Sequence, residues 1–228
     1  MNESLLAHPF AGIVLSIAAY WIGVRVRSKT KSPLANPLLI AVILVIAVFQ
    51  LTPMTLAHYR NGASLFAMLV VPATTVLALQ INRQWHVLRA NVIPVLGGCA
   101  AGTVVAMASV WFLCRALGIN EILSASLLPK SVTSAIAIEL SERAGGIASI
   151  TVAAVIVTGI FSAIISPFML KTFNLKNAVA IGVGLGVSGH AVGTATALEL
   201  GETEGAISSI SLTTSALATS LLYALLVF

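Results

Sequence analysis

The chain has 228 residues, of which 58% are hydrophobic and 8% charged, with a net charge of +5. Soluble domains carry about 25% charged residues, so a water-facing globular surface is excluded and an integral membrane protein is indicated. The apolar runs approach the roughly 20 residues of a membrane helix, not the roughly 10 alternating residues of a barrel strand. No Asp occurs. The positive excess sits in short connections, where it reads as topology information and not as a nucleic-acid face. The first residues, Met-Asn-Glu-Ser-Leu, lack the basic start of a cleaved signal peptide.

In chain order, hydropathy predicts six spans, at 8–24, 34–51, 62–80, 91–114, 147–169 and 206–227. The first loop carries Arg25, Arg27, Lys29 and Lys31, and the third carries Arg83 and Arg89; alternation puts both on one side, with Arg60 and Arg115 opposite. The positive-inside rule makes the more basic side cytoplasmic and leaves the N-terminus outside. Pro72, midway along the third span, frees a carbonyl and kinks the helix. Thr74 beside it is a candidate lining or supporting residue. Cys99 and Cys114 fall in one apolar run with no His at ligand spacing, so they read as buried free thiols.

Two shorter apolar segments, 119–129 and 177–189, are too short to span alone. Each is followed by a basic residue and a second short helical stretch. Each pair is either a re-entrant hairpin or one broken crossing. Hairpins place eight basic residues inside against three outside, and broken crossings seven against four, so charge favours hairpins. Hairpins also leave one crossing per repeat, which inverts the second copy relative to the first.

The two regions are copies of one pattern sixty positions apart. Residues 130–150 and 190–210 agree at ten of 21 positions, among them Glu139/Glu199, Gly145/Gly205 and Ile147/Ile207. Paired interrupted hydrophobic segments in corresponding places point to a transporter's binding site. At the first tip, Leu128-Pro129-Lys130-Ser131-Val132-Thr133, Pro129 disfavours a helical Leu128, and Ser131 and Thr133 are good caps for the helix that follows. A helix beginning deep in the membrane turns free N–H groups and its positive end inward, where they attract a carboxylate or phosphate. Lys130 adds a full charge.

At the second tip, Gly182, Gly184, Gly186, Gly189 and Gly193 surround Ser188 and His190, with Thr194 and Thr196 following. The glycines permit unusual backbone angles and close helix approach. His190 stands in the place of Lys130 and can titrate near neutral pH, which suits proton coupling. The candidate substrate-binding set is therefore Lys130, Ser131, Thr133, Ser188, His190, Gly193 and Thr194. Alternatives stay open: Lys130 snorkelling to an interface, or His190 bonding a backbone carbonyl at a broken helix. Glu139 and Glu199, nine residues beyond their tips, fall near the water boundary in a coupling or supporting role. Gly184-Leu-Gly186-Val-Ser-Gly189 matches a dinucleotide fingerprint in form but lies in a membrane segment, without the soluble βαβ unit that motif needs. No catalytic residue, metal site or cofactor is indicated: Asp is absent and no H-E-x-x-H occurs.

These motifs resemble the LrgB/CidB family of bacterial membrane proteins and, beyond it, the carboxyl-terminal half of the plastid glycolate/glycerate translocator. The residues that carry the resemblance are Asn36-Pro-Leu-Leu39, Pro72-Ala-Thr74, Leu128-Pro-Lys-Ser-Val-Thr133, Gly145-Gly-Ile147, His190-Ala-Val-Gly-Thr-Ala195 with Glu199, and Glu204-Gly-Ala206. The resemblance implies one of two activities. One is carriage of small carboxylates such as pyruvate, glycolate or glycerate. The other is holin/antiholin-like action with a small LrgA/CidA-type membrane partner on murein hydrolase activity and lysis. Departures are Ser134-Ala135 where the family commonly has Thr-Pro, Thr196 where it often has Arg, and Ala180-Ile-Gly182 where another Arg often precedes the glycines.

The expectation is an all-α polytopic protein of a bacterial cytoplasmic membrane. It has six transmembrane helices plus two re-entrant or broken helical hairpins in a tandem, inverted repeat. Residues 1–118 are expected as scaffold and oligomer surface, and 119–228 as a transport module with repeats 119–170 and 176–228. The expected function is a non-enzymatic, elevator or rocking carrier of small monocarboxylates, coupled to protons. Expected partners are the carboxylate anion, a proton, the lipid bilayer, a second copy of the chain and a small LrgA/CidA-like protein, with no nucleic acid.

Overall fold

A computed structural model describes residues 8–30, 32 and 34–227, and every regular element among them is a helix. In chain order these are α1 (Pro9–Thr30), α2 (Pro37–Leu51), α3 (Leu56–Met68), α4 (Val70–Arg83), α5 (Trp85–Ala90), α6 (Val92–Ala116), α7 (Glu121–Leu127), α8 (Ser134–Arg143), α9 (Ala148–Thr172), α10 (Ala178–Leu200) and α11 (Glu202–Val227). Among the described residues, five helices are long and apolar enough to cross a membrane: α1, α6, α9, α10 and α11. The protein is all-α and polytopic.

Asparagine side chains start three helices. Asn36 Oδ1 accepts from Leu38 N and Leu39 N at 2.9 and 3.2 Å, with Pro37 at the first helical position. Asn120 accepts from Leu123 N at 2.9 Å, and Asn177 from Ala180 N at 3.0 Å. Each satisfies a donor that the helix itself leaves free. The last two open the two half-helix pairs.

The chain divides into two compact units, 1–76 and 77–228. In the first, α1 packs on α2 and α3. Two glycines of α1 allow close approach: a Cβ on Gly12 would lie 2.5 Å from the Tyr59 carbonyl oxygen, and one on Gly23 would lie 2.6 Å from that of Pro37. Ser16 Oγ and Tyr59 OH, 2.9 Å apart, join α1 to α3. Three sequence expectations change here. Arg25, Arg27 and Lys29 form the last turns of α1 and not a loop, where cations suit the helix C-terminus; the Arg25 guanidinium sits 4.4 Å over the Trp21 ring. The span at 34–51 is a helix of 15 residues, about 22 Å and short of a 30 Å core. The span at 62–80 is broken at Leu69 into α3 and α4. Pro72 is the cause, since it has no N–H for the Met68 carbonyl and its ring crowds that carbonyl.

In the second unit, α6 and α11 run parallel. Val95 shares a core with Ile207, Cys99 Sγ meets the Ser211 carbonyl, and Met107 and Val110 share a core with Tyr223. Both cysteines are buried free thiols. α6, expected with the scaffold, packs here on α10 and α11.

The interrupted segments are hairpins. Ser126, near the end of α7, accepts from Ile147 N at 2.7 Å, beyond the end of α8. Leu128 shares a core with Leu140 and Ala144. The end of α8 therefore comes back against the end of α7, where a straight crossing would carry it away. In α10 the helix breaks at His190, and Ile181 and Leu185 before the break cluster with Ala197 after it. In an unbroken helix Leu185 and Ala197 would stand about 18 Å apart. Of the five long helices, α10 is thus folded back on itself.

The two hairpins enter from opposite ends. Along α9, the first hairpin meets Ile147 and Thr151 near the start, while the second meets Ser162 and Leu170 farther on. Along α11 the order is reversed: the second hairpin meets Glu204, Ile207 and Ser208, and the first meets Ala216 and Tyr223. α9 and α11 are antiparallel, and the repeat is inverted. The connection at 144–147 and that at 201 then lie on opposite sides. Exposed Glu142 and Glu202 mark them. Cysteines at these two positions should react with a membrane-impermeant maleimide from opposite faces of oriented vesicles; labelling of both from one face would contradict the inverted arrangement.

Candidate functional site

Val155, in the first half of α9, is where the two tips meet. Its side chain, 1% exposed, packs with Val132 and Ala137 of the first hairpin and Ala216 of α11. Its carbonyl lies 2.9 Å from His190 Nε2 at the second tip. A carbonyl only accepts, so Nε2 carries the proton and Nδ1 is the position left to titrate.

At the first tip, Leu128 is right-handed helical (φ −53°, ψ −45°) despite preceding Pro129. The expected pre-proline restriction is overridden by packing, since Leu128 is 5% exposed in the core with Met107 and Tyr223. The turn is closed by Lys130 N to Leu127 O at 3.2 Å and Val132 N to Pro129 O at 3.3 Å. Thr133 has the extended backbone of an N-cap (φ −65°, ψ 149°), but its side chain makes no cap bond. The first N–H groups of α8 are therefore not capped by that hydroxyl. Lys130 is half-buried, and its Nζ stands 3.4 Å from Ser131 Oγ. Among the described residues no carboxylate lies within salt-bridge distance of it.

The second tip is built differently. The positive φ falls on His190 itself (φ 42°, ψ −134°) and not on one of the flanking glycines. Such a conformation costs on the order of 1–3 kcal/mol and persists only where surroundings enforce it. They do so here. His190 is 4% exposed, and its ring lies on Gly159, where a Cβ would come within 2.6 Å of Cε1. Thr194, 2% exposed, donates to the His190 carbonyl at 3.0 Å and pairs with Ser208 Oγ at 3.0 Å. Ser188 Oγ donates to Gly184 O at 2.7 Å and lies 3.1 Å from Ser162 Oγ. Gly189 faces Ser162, Gly193 faces the Leu185 carbonyl, and Gly182 and Gly186 let α10 approach α11. The glycines serve packing, while the histidine makes the turn.

The structure thus brings Lys130, Ser131 and Thr133 to one tip and Ser188, His190, Gly193 and Thr194 to the other, with Val155 between. Glu139 is exposed and held by Arg143 through Nε at 2.8 Å and Nη2 at 2.6 Å, on an outer turn of α8. Glu199 is exposed, near the base of its hairpin. Thr74 lies in α4, and its side chain is outside the described residues. Sequence reasoning missed Val155, Gly159, Ser162 and Ser208. A signal existed for part of this: Gly159, Ser162 and Ser166 follow helical spacing on one face of α9, and small residues so placed mark close approach in membranes. The prediction is that Gly159→Ala displaces the imidazole and destabilises the protein by about 1–3 kcal/mol. Thermal unfolding in detergent should show a lower Tm, whereas Gly184→Ala, whose Cβ meets nothing within 4 Å, should melt close to the parent.

The LrgB-like family model matches residues 16–228, and the chain belongs to that family. It is 35% identical over 204 residues to the antiholin-like protein LrgB of Bacillus subtilis, covering 89% of this chain and 88% of that one. The antiholin-like protein LrgB of Bacillus mycoides is 34% identical over 206 residues, 90% of each chain. YxaC of Bacillus subtilis is 34% identical over 201 residues, 88% of this chain and 87% of that one. No solved structure matches. The relatives' names favour the antiholin-like expectation over the carrier expectation.

Proposed function

We propose that this chain is a carrier of small monocarboxylates, with the Lys130 tip as the anion seat and the His190 hairpin as the element that closes against it. One observation carries the reading. A half-buried ammonium stands at a re-entrant tip beside a helix start whose cap hydroxyl is idle, with no salt-bridge carboxylate among the described residues. A desolvated charge without a partner costs several kcal/mol. A bound carboxylate would relieve that cost and would accept from the free N–H groups of α8 and from Ser131 and Thr133.

In this reading Ser188, Gly193 and Thr194 hold the second tip, and His190 Nδ1 supplies a site for a co-transported proton. The inverted hairpins give two equivalent arrangements for alternating access by an elevator or rocking movement. Residues 1–118 act as scaffold and oligomer surface, with α6 as the scaffold helix that packs on the module, in a cytoplasmic membrane with the N-terminus outside. A second reading has the relatives' names behind it: an antiholin-like membrane protein acting with a small membrane partner.

Uptake into proteoliposomes separates the two. The carrier reading predicts saturable, stereoselective uptake of small acids, whereas non-selective leakage, or no uptake, would favour the antiholin-like reading. Lys130→Ala should fold and insert yet lose about 2–5 kcal/mol of substrate affinity, a drop of roughly thirtyfold or more. His190→Gln should flatten the dependence of uptake on pH. Full saturable activity in the Lys130→Ala, His190→Ala double variant would exclude the seat.

A further inference from the structure

A cavity of about 170 Å³ lies between α9 and the first half of α10. It runs from Leu175, in the connection between those helices, past Met169 and Leu185 to the hydroxyls of Ser162 and Ser188. Its inner end is the second tip, because Gly189, which follows Ser188, is pressed against Ser162: a Cβ there would lie 2.6 Å from Oγ. Its other end is at Leu175, four residues after one lysine and one before another. Lys171 and Lys176, both exposed, flank the connection that contributes Leu175.

The hydroxyls at the inner end have their hydrogens engaged. Ser188 donates to Gly184 O, so in the Ser162–Ser188 pair Ser162 is the donor. Ser166 donates to Ala163 O at 3.2 Å. A carboxylate finds no free donor there to hold it, and the remaining walls are apolar. The cavity is an open groove with apolar sides: two lysines stand next to one end in the chain, and at the other the exposed Ser188 pairs with buried Ser162, two residues from His190.

We infer that this groove is the vestibule through which a small carboxylate reaches the tips from the side of Lys171 and Lys176, with the Ser162–Ser188 pair at its tip end. The inference rests on the carrier reading and adds a side of entry and a size class. The volume is below the roughly 300–1,000 Å³ of sites for drug-sized ligands, so it suits acids of a few heavy atoms. The two lysines raise the local concentration of anions at the mouth, an effect that falls with ionic strength.

Gly184 gives a direct test, since it lines the cavity and a Cβ there meets nothing within 4 Å. A Gly184→Cys variant of the full chain, with Cys99 and Cys114 replaced by Ala, is reconstituted in oriented vesicles. The measurement is its rate of modification by an anionic sulfonate thiosulfonate reagent and by a cationic ammonium analogue of similar size. The expected result is reaction only from the Lys171/Lys176 side, with the anionic reagent faster by about tenfold. That preference should disappear in Lys171→Gln, Lys176→Gln, and lactate should slow the reaction. Reaction from the other side, no reaction, or a preference unchanged by removing both lysines would overturn the vestibule. Labelling does not require transport, so the two readings fail separately. Saturable uptake without the labelling pattern sinks the vestibule alone, and the labelling pattern without lactate protection or uptake sinks the carboxylate as its cargo.

Discussion

The hydrogen bond from His190 Nε2 to the Val155 carbonyl is the contact on which the hairpin module depends. Backbone that turns round inside a membrane must find its partners within the protein. The second hairpin meets that demand with a histidine in a left-handed φ, fixed by an acceptor on a neighbouring span. Gly159 makes room for the ring, Thr194 takes the His190 carbonyl, and Ser162 meets Ser188. Because the same Val155 packs on Val132 of the first hairpin, one residue of α9 sets the position of both tips.

The two tips have diverged in kind. The His190 tip spends its polar groups on the protein: imidazole on Val155, Thr194 on Ser208, Ser188 on Gly184. Among the described residues, the Lys130 ammonium has only a 3.4 Å serine contact, and the Thr133 hydroxyl makes no cap bond. One tip is locked by bonds within the protein, and the carrier reading assigns the anion to the other. On the carrier reading, the symmetric cradle read from the sequence repeat becomes a seat on one side and a latch on the other. The missing arginines around the second tip are consistent with that division, since a latch built on a buried imidazole has no use for further charge.

Much of this was legible beforehand for a physical reason. Length and hydropathy mark the long spans, and a repeat of ten identities in 21 positions marks the paired hairpins. Loop charge favoured hairpins over crossings, and the contact of Ser126 with Ile147 agrees. What was not legible depended on tertiary contacts. Packing against Tyr223 and Met107 keeps Leu128 helical before a proline. Nothing local announces that His190, surrounded by glycines, takes the positive φ. The division of α3 from α4 at Leu69 was readable from Pro72 as a kink but not as a break, because the extent to which neighbours re-satisfy a freed carbonyl is set by packing.

The central claim is that Lys130 receives a carboxylate at the meeting point of the two hairpins. Solid-state NMR of the ¹⁵N-lysine protein in bilayers, with ¹³C-carboxylate lactate or pyruvate, measures that contact. The account predicts a dipolar coupling between the carboxylate carbon and one lysine Nζ at the short separation of a charge-assisted hydrogen bond, lost in Lys130→Ala. A bound carboxylate coupled to no lysine, or a coupling that survives Lys130→Ala, would contradict it.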